Sequence, residues 1–321
     1  MASPRAVGVW IFVSRANYPD GSQSLAIGLD VMLLMIDTHC HLTYDGLIER
    51  VDSVLAAAAA AGVDRMISVG TTPEDAQRAC DLAQRKSQVY FAVGLHPHYA
   101  KEWSDHDVVA AAIRRLSQHE KCVAIGEMGL DRHYPEPPME IQKSAFESQL
   151  GVILGLDMIE AAFDQIVDSH PQPPAPIRPP LRRSAKQKAI IIHNREATDE
   201  TVGMIRNSRI PGDRFVFHCF TGSSEELDKI LDLGAMVSFT GIVTFKNAAD
   251  LAKCAARVPG DRIMIETDSP YLAPEPYRKV RPNEPRYVAD VARFLAKIRG
   301  EEEIAFIAKV DANAVRFFGL T

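Results

Sequence analysis

No apolar run in this 321-residue sequence is long enough to cross a bilayer as a helix. A positive charge excess is missing too. Forty-two acidic against 36 basic residues give a formal net charge of -6, so the chain has no long-range attraction for a polyanion. Any contact with nucleic acid must be local or carried by bound cations, which counts against a stoichiometric DNA-binding protein and leaves enzymes open. Cysteine is sparse and unpatterned: Cys40, Cys80, Cys122, Cys219 and Cys254 are odd in number, scattered and without zinc-knuckle spacing. That usage fits a reducing compartment, the cytoplasm or, in a eukaryotic cell, also the nucleus. A secretory cleavage site is lacking after the apolar stretch 7–13. Residues 1–34 read as a poorly ordered extension or an overcalled start ahead of Met35, with a transit segment as the other reading. No broad apolar patch is advertised, so a monomer is expected.

What the chain does have is core. Its hydrophobic content of 46% can fill one large α/β domain or two smaller ones. Short apolar strands are predicted at 33–36, 65–69, 89–93, 122–125, 189–192, 215–217, 236–239 and 263–265. Between and after them run helical periodicities at 48–61, 72–86, 107–119, 141–154, 224–233, 248–256, 286–298 and 301–317. Strands that alternate with helices in this way match a single-domain (β/α)8 TIM barrel better than a doubly wound sheet. A two-domain α/β protein is the competing reading.

In such a barrel the chemistry sits where strands end at their C-terminal side. The stretch "LLMIDTHCHL" stops an apolar run at Asp37 and places His39 and His41 at i and i+2, on one side of an extended strand. Alone, that pair is either a metal clamp or two alternating surface residues. The other strand ends decide more: His96 and His98 follow the third, Glu127 the fourth, His193 the fifth, His218 the sixth and Asp268 the eighth. Ligand-type side chains at most strand ends are hard to obtain by chance. Each has a plainer reading: Glu127 could cap a turn with Gly126 and Gly129, Asp268 could stabilise the turn before Ser269-Pro270, and His96 could belong to a turn shaped by Pro97.

The segments "IDTHCHL", "VGLHPHYA", "IGEMGLD", "IIIHNREA", "FHCFTG" and "ETDSPYLAP", followed by "RKVRPNEP", resemble the signature segments of the TatD family of metal-dependent deoxyribonucleases, and they occur in the family's order from about Met35 onward. The resemblance implies a (β/α)8 barrel that binds one or two divalent metal ions and hydrolyses DNA phosphodiester bonds, often as a 3′-5′ exonuclease. By the family pattern the metal residues are His39, His41, Glu127, His193, His218 and Asp268. Such nitrogen and oxygen donors suit zinc, manganese or magnesium, although magnesium prefers more oxygen. Glu127 is expected as a carboxylate shared by two ions, and Asp268 as a ligand that also accepts a proton; both are the catalytic candidates.

Substrate contacts are expected from His96, Arg195 and Arg281. A guanidinium at Arg195 can grip a phosphate, and Arg278, Lys279, Arg281 and Arg286 form a basic run suited to a DNA backbone. Asp131 could orient a ligand or complete a loop. Alternation points Cys40 and Cys219 away from the ligands beside them. Phe220, Tyr271 and Tyr277 are candidates for stacking on bases at the mouth, or for rim packing.

The chain departs from the family pattern between Gly151 and Lys188, with a proline-rich insertion expected at about 158–188. Six prolines between Pro171 and Pro180 exclude a helix there and read as an extended loop with a basic end. Without it and the leading segment, about 250 residues remain, the usual size of this barrel. Two other function classes compete. One is an amidohydrolase or lactonase on the same metals, for which Glu127 stands where a carboxylated lysine is usual. The other is a scaffold whose proline-rich loop binds a partner.

Overall fold

The computed structural model describes residues 8–17, 23–32, 34–168 and 188–320, with side chains described from Leu34 to Ile159 and from Lys188 to Leu320. Two strands, β1 (Gly8–Asn17) and β2 (Gln23–Met32), pair antiparallel with each other as a ladder of their own. The eight strands that follow form one parallel sheet in sequence order: β3 (Met35–Cys40), β4 (Val63–Val69), β5 (Val89–Val93), β6 (Cys122–Asp131), β7 (Ala189–Arg195), β8 (Phe215–Phe217), β9 (Met236–Phe239) and β10 (Ile263–Ile265). The sheet curls until its edges meet just beyond β10. There Asp268 N–H donates to His39 O at 2.9 Å and His41 N–H to Ser269 O at 2.7 Å. The result is the nearly closed (β/α)8 barrel expected from the alternation.

Side-chain alternation along the strands separates two apolar layers. Ile36, Ile67, Ala92, Ala124, Ile191, Val216, Met236 and Met264 form one cluster, which Phe318 and Leu320 join from the end of the last helix. The opposite strand faces pack on the surrounding helices through Met66, Phe91, Phe215, Phe217 and Phe239, among others. Each helix begins or is patterned for its place. The helix Pro73–Arg85 opens with Thr72 accepting from Asp75 N–H and proline in its first turn, and Ser223 and Glu226 form a capping box at the start of the helix Ser224–Asp232.

The fourth barrel helix, Met139–Asp168, is longer than expected. Periodicity predicted its end near Leu154 and an insertion from about 158, yet the helix continues through the first part of that stretch. No proline or glycine follows Gly155 until Pro171, and Leu156, Met158, Glu160 and Ala161 are good helix formers. Its inner face still covers the barrel, with Phe146, Leu150, Ile153 and Leu156 buried. The predicted proline-rich segment Pro171 to Pro180 and its basic end before Lys188 lie outside the described residues. No helix among the described residues is long and apolar enough to cross a membrane.

Candidate metal centre

The C-terminal strand ends converge on one buried cluster. His39 and His41 leave β3 with their Nε2 atoms 3.3 Å apart. His41 Nδ1 lies 2.9 Å from Val69 O, a contact that makes Nδ1 the protonated nitrogen and leaves Nε2 a lone pair for the centre. Glu127 and His193 lie inside strands rather than after them, because β6 and β7 run longer than predicted. The reason is glycine. A Cβ on Gly129, whose φ is +142°, would sit 2.0 Å from His193 O, so only glycine lets β6 keep its pairing with β7 at the level of the site.

Glu127 is the hub. Its Oε2 is 3.0 Å from His39 Nε2 and 3.0 Å from His218 Nε2, and its Oε1 is 3.3 Å from His96 Nε2. The His39 and His218 rings stack with centroids 4.0 Å apart, so both present the same edge to that oxygen. His193 Nδ1 lies 3.2 Å from His96 Nε2 and 3.3 Å from His218 Nε2. Asp268, with φ +52°, closes the other side, its Oδ1 3.3 Å from His41 Nε2 and 3.8 Å from His39 Nε2. The structure thus brings together His39, His41, Glu127, His193, His218 and Asp268. His96, expected to contact a phosphate or to support the ligands from behind, is buried beside the donors and also lines the cavity.

Charge compensation runs through the whole cluster. Burial alone would lower the His39 pKa, but the carboxylates of Glu127, Glu266 and Asp268 carry it up to about 9. Burial would raise Glu127, yet His218, His96 and His39 hold it well below the carboxylate range. Asp268 is also lowered against its burial, by the bond from His41 and the charges of His39 and His218. His96 goes the other way, pushed well down by burial and by His193 beside it. These opposed shifts describe buried carboxylates whose negative charge is balanced by the imidazoles around them.

The donors fit a divalent metal. Glu127 Oε2 is buried without a hydrogen-bond partner although two imidazole nitrogens face it, as expected of an oxygen placed for a cation. Three groups hold their donor atoms within 4.8 Å of one another: His39, His41 and Asp268; His96, Glu127 and His193; and His39, His218 and Glu266. His39 belongs to two of these groups, and Glu127 of the other lies 3.0 Å from it, an arrangement compatible with one or two ions.

A supporting layer orients the donors. Asp131 Oδ2 is 2.9 Å from His193 Nε2 and 3.0 Å from His98 Nε2, so it fixes which His193 nitrogen faces inward. Asp131 itself is held well below its usual pKa by these two histidines, against the effect of burial. Glu266, which sequence reasoning passed over, accepts from Cys219 N–H at 2.6 Å and from Ser238 Oγ at 2.6 Å, and its Oε1 is 3.5 Å from His218 Nδ1. Alternation from Met264 on β10 was the signal that could have found it. Asp37, also unassigned, accepts from Thr267 N–H at 2.9 Å and is pushed up to about 7 by burial.

Above the centre opens a cavity of about 1090 Å3, lined on its floor by His41, Glu127, His193, His218 and Asp268. Arg195 lines it and lies over the Tyr134 ring, 5.5 Å from the centroid. Arg281 does not: it is exposed outside the lining, on carbonyls of Arg278 and Val280. Tyr271 lines the mouth, whereas Phe220 is buried edge-on against Phe239 and unavailable for stacking. Cys40 is buried as expected, but Cys219 reaches the cavity lining, because its φ of +46° breaks the strand alternation.

A parallel barrel with histidines and carboxylates gathered at its C-terminal mouth defines a metal-dependent hydrolase. The chain belongs to the TatD family: the sequence pattern of TatD related DNases matches residues 36–157 and 183–319. It is 34% identical to the metal-dependent hydrolase YabD of Bacillus subtilis, over 89% of this chain and 99% of the relative. It is 32% identical to the 3′-5′ ssDNA/RNA exonuclease TatD of Klebsiella pneumoniae, over 89% and 98%. Among solved structures, the TatD homolog YJJV of Escherichia coli superposes with a TM-score of 0.74 at 25% identity, covering 89% of this chain and 98% of that one.

Proposed function

We propose that this hydrolase is a divalent-metal-dependent deoxyribonuclease that removes nucleotides from the 3′ end of single-stranded DNA. The observation that carries the reading is Glu127 Oε2, buried without a hydrogen bond between the Nε2 atoms of His39 and His218 at the floor of an open cavity. His39, His41, Glu127, His193, His218 and Asp268 would hold the metal. When bound, it supplies Lewis acidity that polarises a phosphoryl oxygen and acidifies water at neutral pH.

The chain's own residues supply the rest. The Asp268 side chain is 14% exposed against 3% for Glu127, so of these two carboxylates it is the one able to accept a proton from attacking water in the cavity. Arg195 makes no ion pair among the described residues and has its guanidinium at the cavity wall, free to grip a phosphate through paired N–H donors. The 3′ polarity and the single-stranded substrate are supported by the activity named for the Klebsiella relative.

The test uses metal-stripped protein with magnesium, manganese or zinc restored, acting on single strands labelled at either end, beside Glu127→Ala. A 5′-labelled strand should shorten stepwise while a 3′-labelled one releases its labelled nucleotide at once, and both should stop in the variant. Folded, metal-loaded protein that leaves every strand intact would sink the nuclease reading and turn attention to amide and lactone substrates.

A further inference from the structure

The loop that follows β10 carries more exposed apolar and cationic surface than the catalytic cluster requires. Within residues 271–281, Tyr271, Tyr277 and Val280 are 51%, 39% and 36% exposed, an unusual density of large apolar side chains in solvent. Arg278, Lys279 and Arg281 are interleaved with them and also exposed. The nearest acid, Glu275, is 4.0 Å from Arg278, and no ion pair is formed by Lys279 or Arg281 among the described residues.

This loop is held in shape. Asn283 is buried beneath it and donates to the carbonyls of Thr267 and Tyr271, and Glu275 N–H bonds Thr244 Oγ1 at 2.8 Å. Val280 N–H returns to Tyr277 O at 2.7 Å, closing a tight turn whose tip presents Arg278 and Lys279. The Arg278 guanidinium lies over the Phe245 ring, 4.1 Å from its centroid, and Tyr277 packs on Tyr287 at 4.7 Å. Side chains fixed this way lose little further freedom on meeting a ligand.

An aromatic path connects the loop with the metal centre. His41 stacks on Tyr44 at 4.8 Å, and Tyr44 meets Tyr271 edge-on at 6.3 Å, at the lip of the cavity. Across the mouth, beyond β6 and β7, the lining acids Glu136 and Glu196 are already paired with Lys101 and His133, whereas the cations of the 271–281 loop have few acidic partners.

Resting on the nuclease reading above, we infer that the 271–281 loop is the track for the single-stranded polynucleotide beyond the scissile nucleotide. Tyr271 and Tyr277 stack its bases, and Arg278, Lys279 and Arg281 neutralise successive phosphates. Stacking with backbone contacts takes any base sequence, as an exonuclease that works along a strand requires.

The test is equilibrium binding, by fluorescence anisotropy, of phosphorothioate-linked oligothymidylates of about twelve and about two nucleotides to the full, metal-loaded chain across a salt series. Three phosphate contacts give a slope of log affinity against log salt near about -2 for a single strand. The triple variant R278Q/K279Q/R281Q should lose most of that slope and bind the long strand about ten- to a hundredfold more weakly, since its affinity would approach that of the short one. Tyr277→Leu should weaken the long strand about five- to a hundredfold and Tyr277→Phe should restore it. The control K253Q/R257Q, on an outer helix, removes two exposed charges and should change neither. Long-strand affinity and slope unaltered in the triple variant, or lowered equally in the control, would overturn the track even if cleavage is observed. Absence of cleavage with intact, track-dependent binding would instead count against the nuclease reading alone.

Discussion

The floor and the rim of this cavity are built on opposite principles. On the floor, Glu127 and His39 are almost without solvent exposure, and His193, His218 and His41 each have a second partner on Asp131, Glu266 or Val69 O. At the rim, Arg195 at the end of β7 and Tyr134 and Tyr271 on loops are half-buried or exposed, and their contacts are ring faces. A buried carboxylate among histidines is costly unless charge compensates it. The floor therefore has one demand, a cation, and little freedom. The rim is solvated in either state, so it can vary with the substrate while the floor stays the same.

If this contrast is right, the largest effect comes from the hub. Glu127→Ala should lower metal-dependent hydrolysis at least about a thousandfold, the scale of several kcal/mol of lost charge stabilisation, and chelation of the wild-type protein should do the same. Initial rates over a metal titration check both. Gly129→Ala comes next: strain at positive φ together with a Cβ against His193 O should cost about 2–5 kcal/mol in urea unfolding and displace His193. Asp131→Asn removes the carboxylate that orients His193, and should weaken metal affinity or activity about ten- to a hundredfold in a metal titration. Smallest is the rim. Arg195→Lys should raise KM about tenfold and leave metal affinity as it was, because a point charge replaces a paired donor. A loss of metal binding in that variant would erase the distinction between floor and rim.

The floor was also the more legible region. Period-two alternation and the polar residue that ends each apolar run located His39, His41, His218 and the strands beneath them, since a buried parallel strand leaves an uninterrupted apolar signature. Glu266 escaped because it follows "IMI" by one residue and reads as the strand's end, while its bonds come from Cys219, Ser238 and Thr38, distant in sequence. Cys219 departs from its expected packing because a φ of +46° reverses the alternation on which that expectation rests. The fourth helix ran past its expected end because helix propensity continues where the apolar stripe does not. Rim side chains such as Tyr134 and Tyr44 have no local pattern at all, and only the closure of the barrel brings them over the site.

What Glu127 binds decides whether the floor is a metal centre. Crystals soaked in manganese or zinc, with anomalous scattering recorded at the metal's absorption edge, test this most directly. One or two anomalous peaks are expected within bonding reach of Glu127 and of the imidazoles of His39 and His218, and are lost in Glu127→Ala crystals. An empty difference map at this position, with metal bound elsewhere or not at all, would contradict a metal centre on the floor.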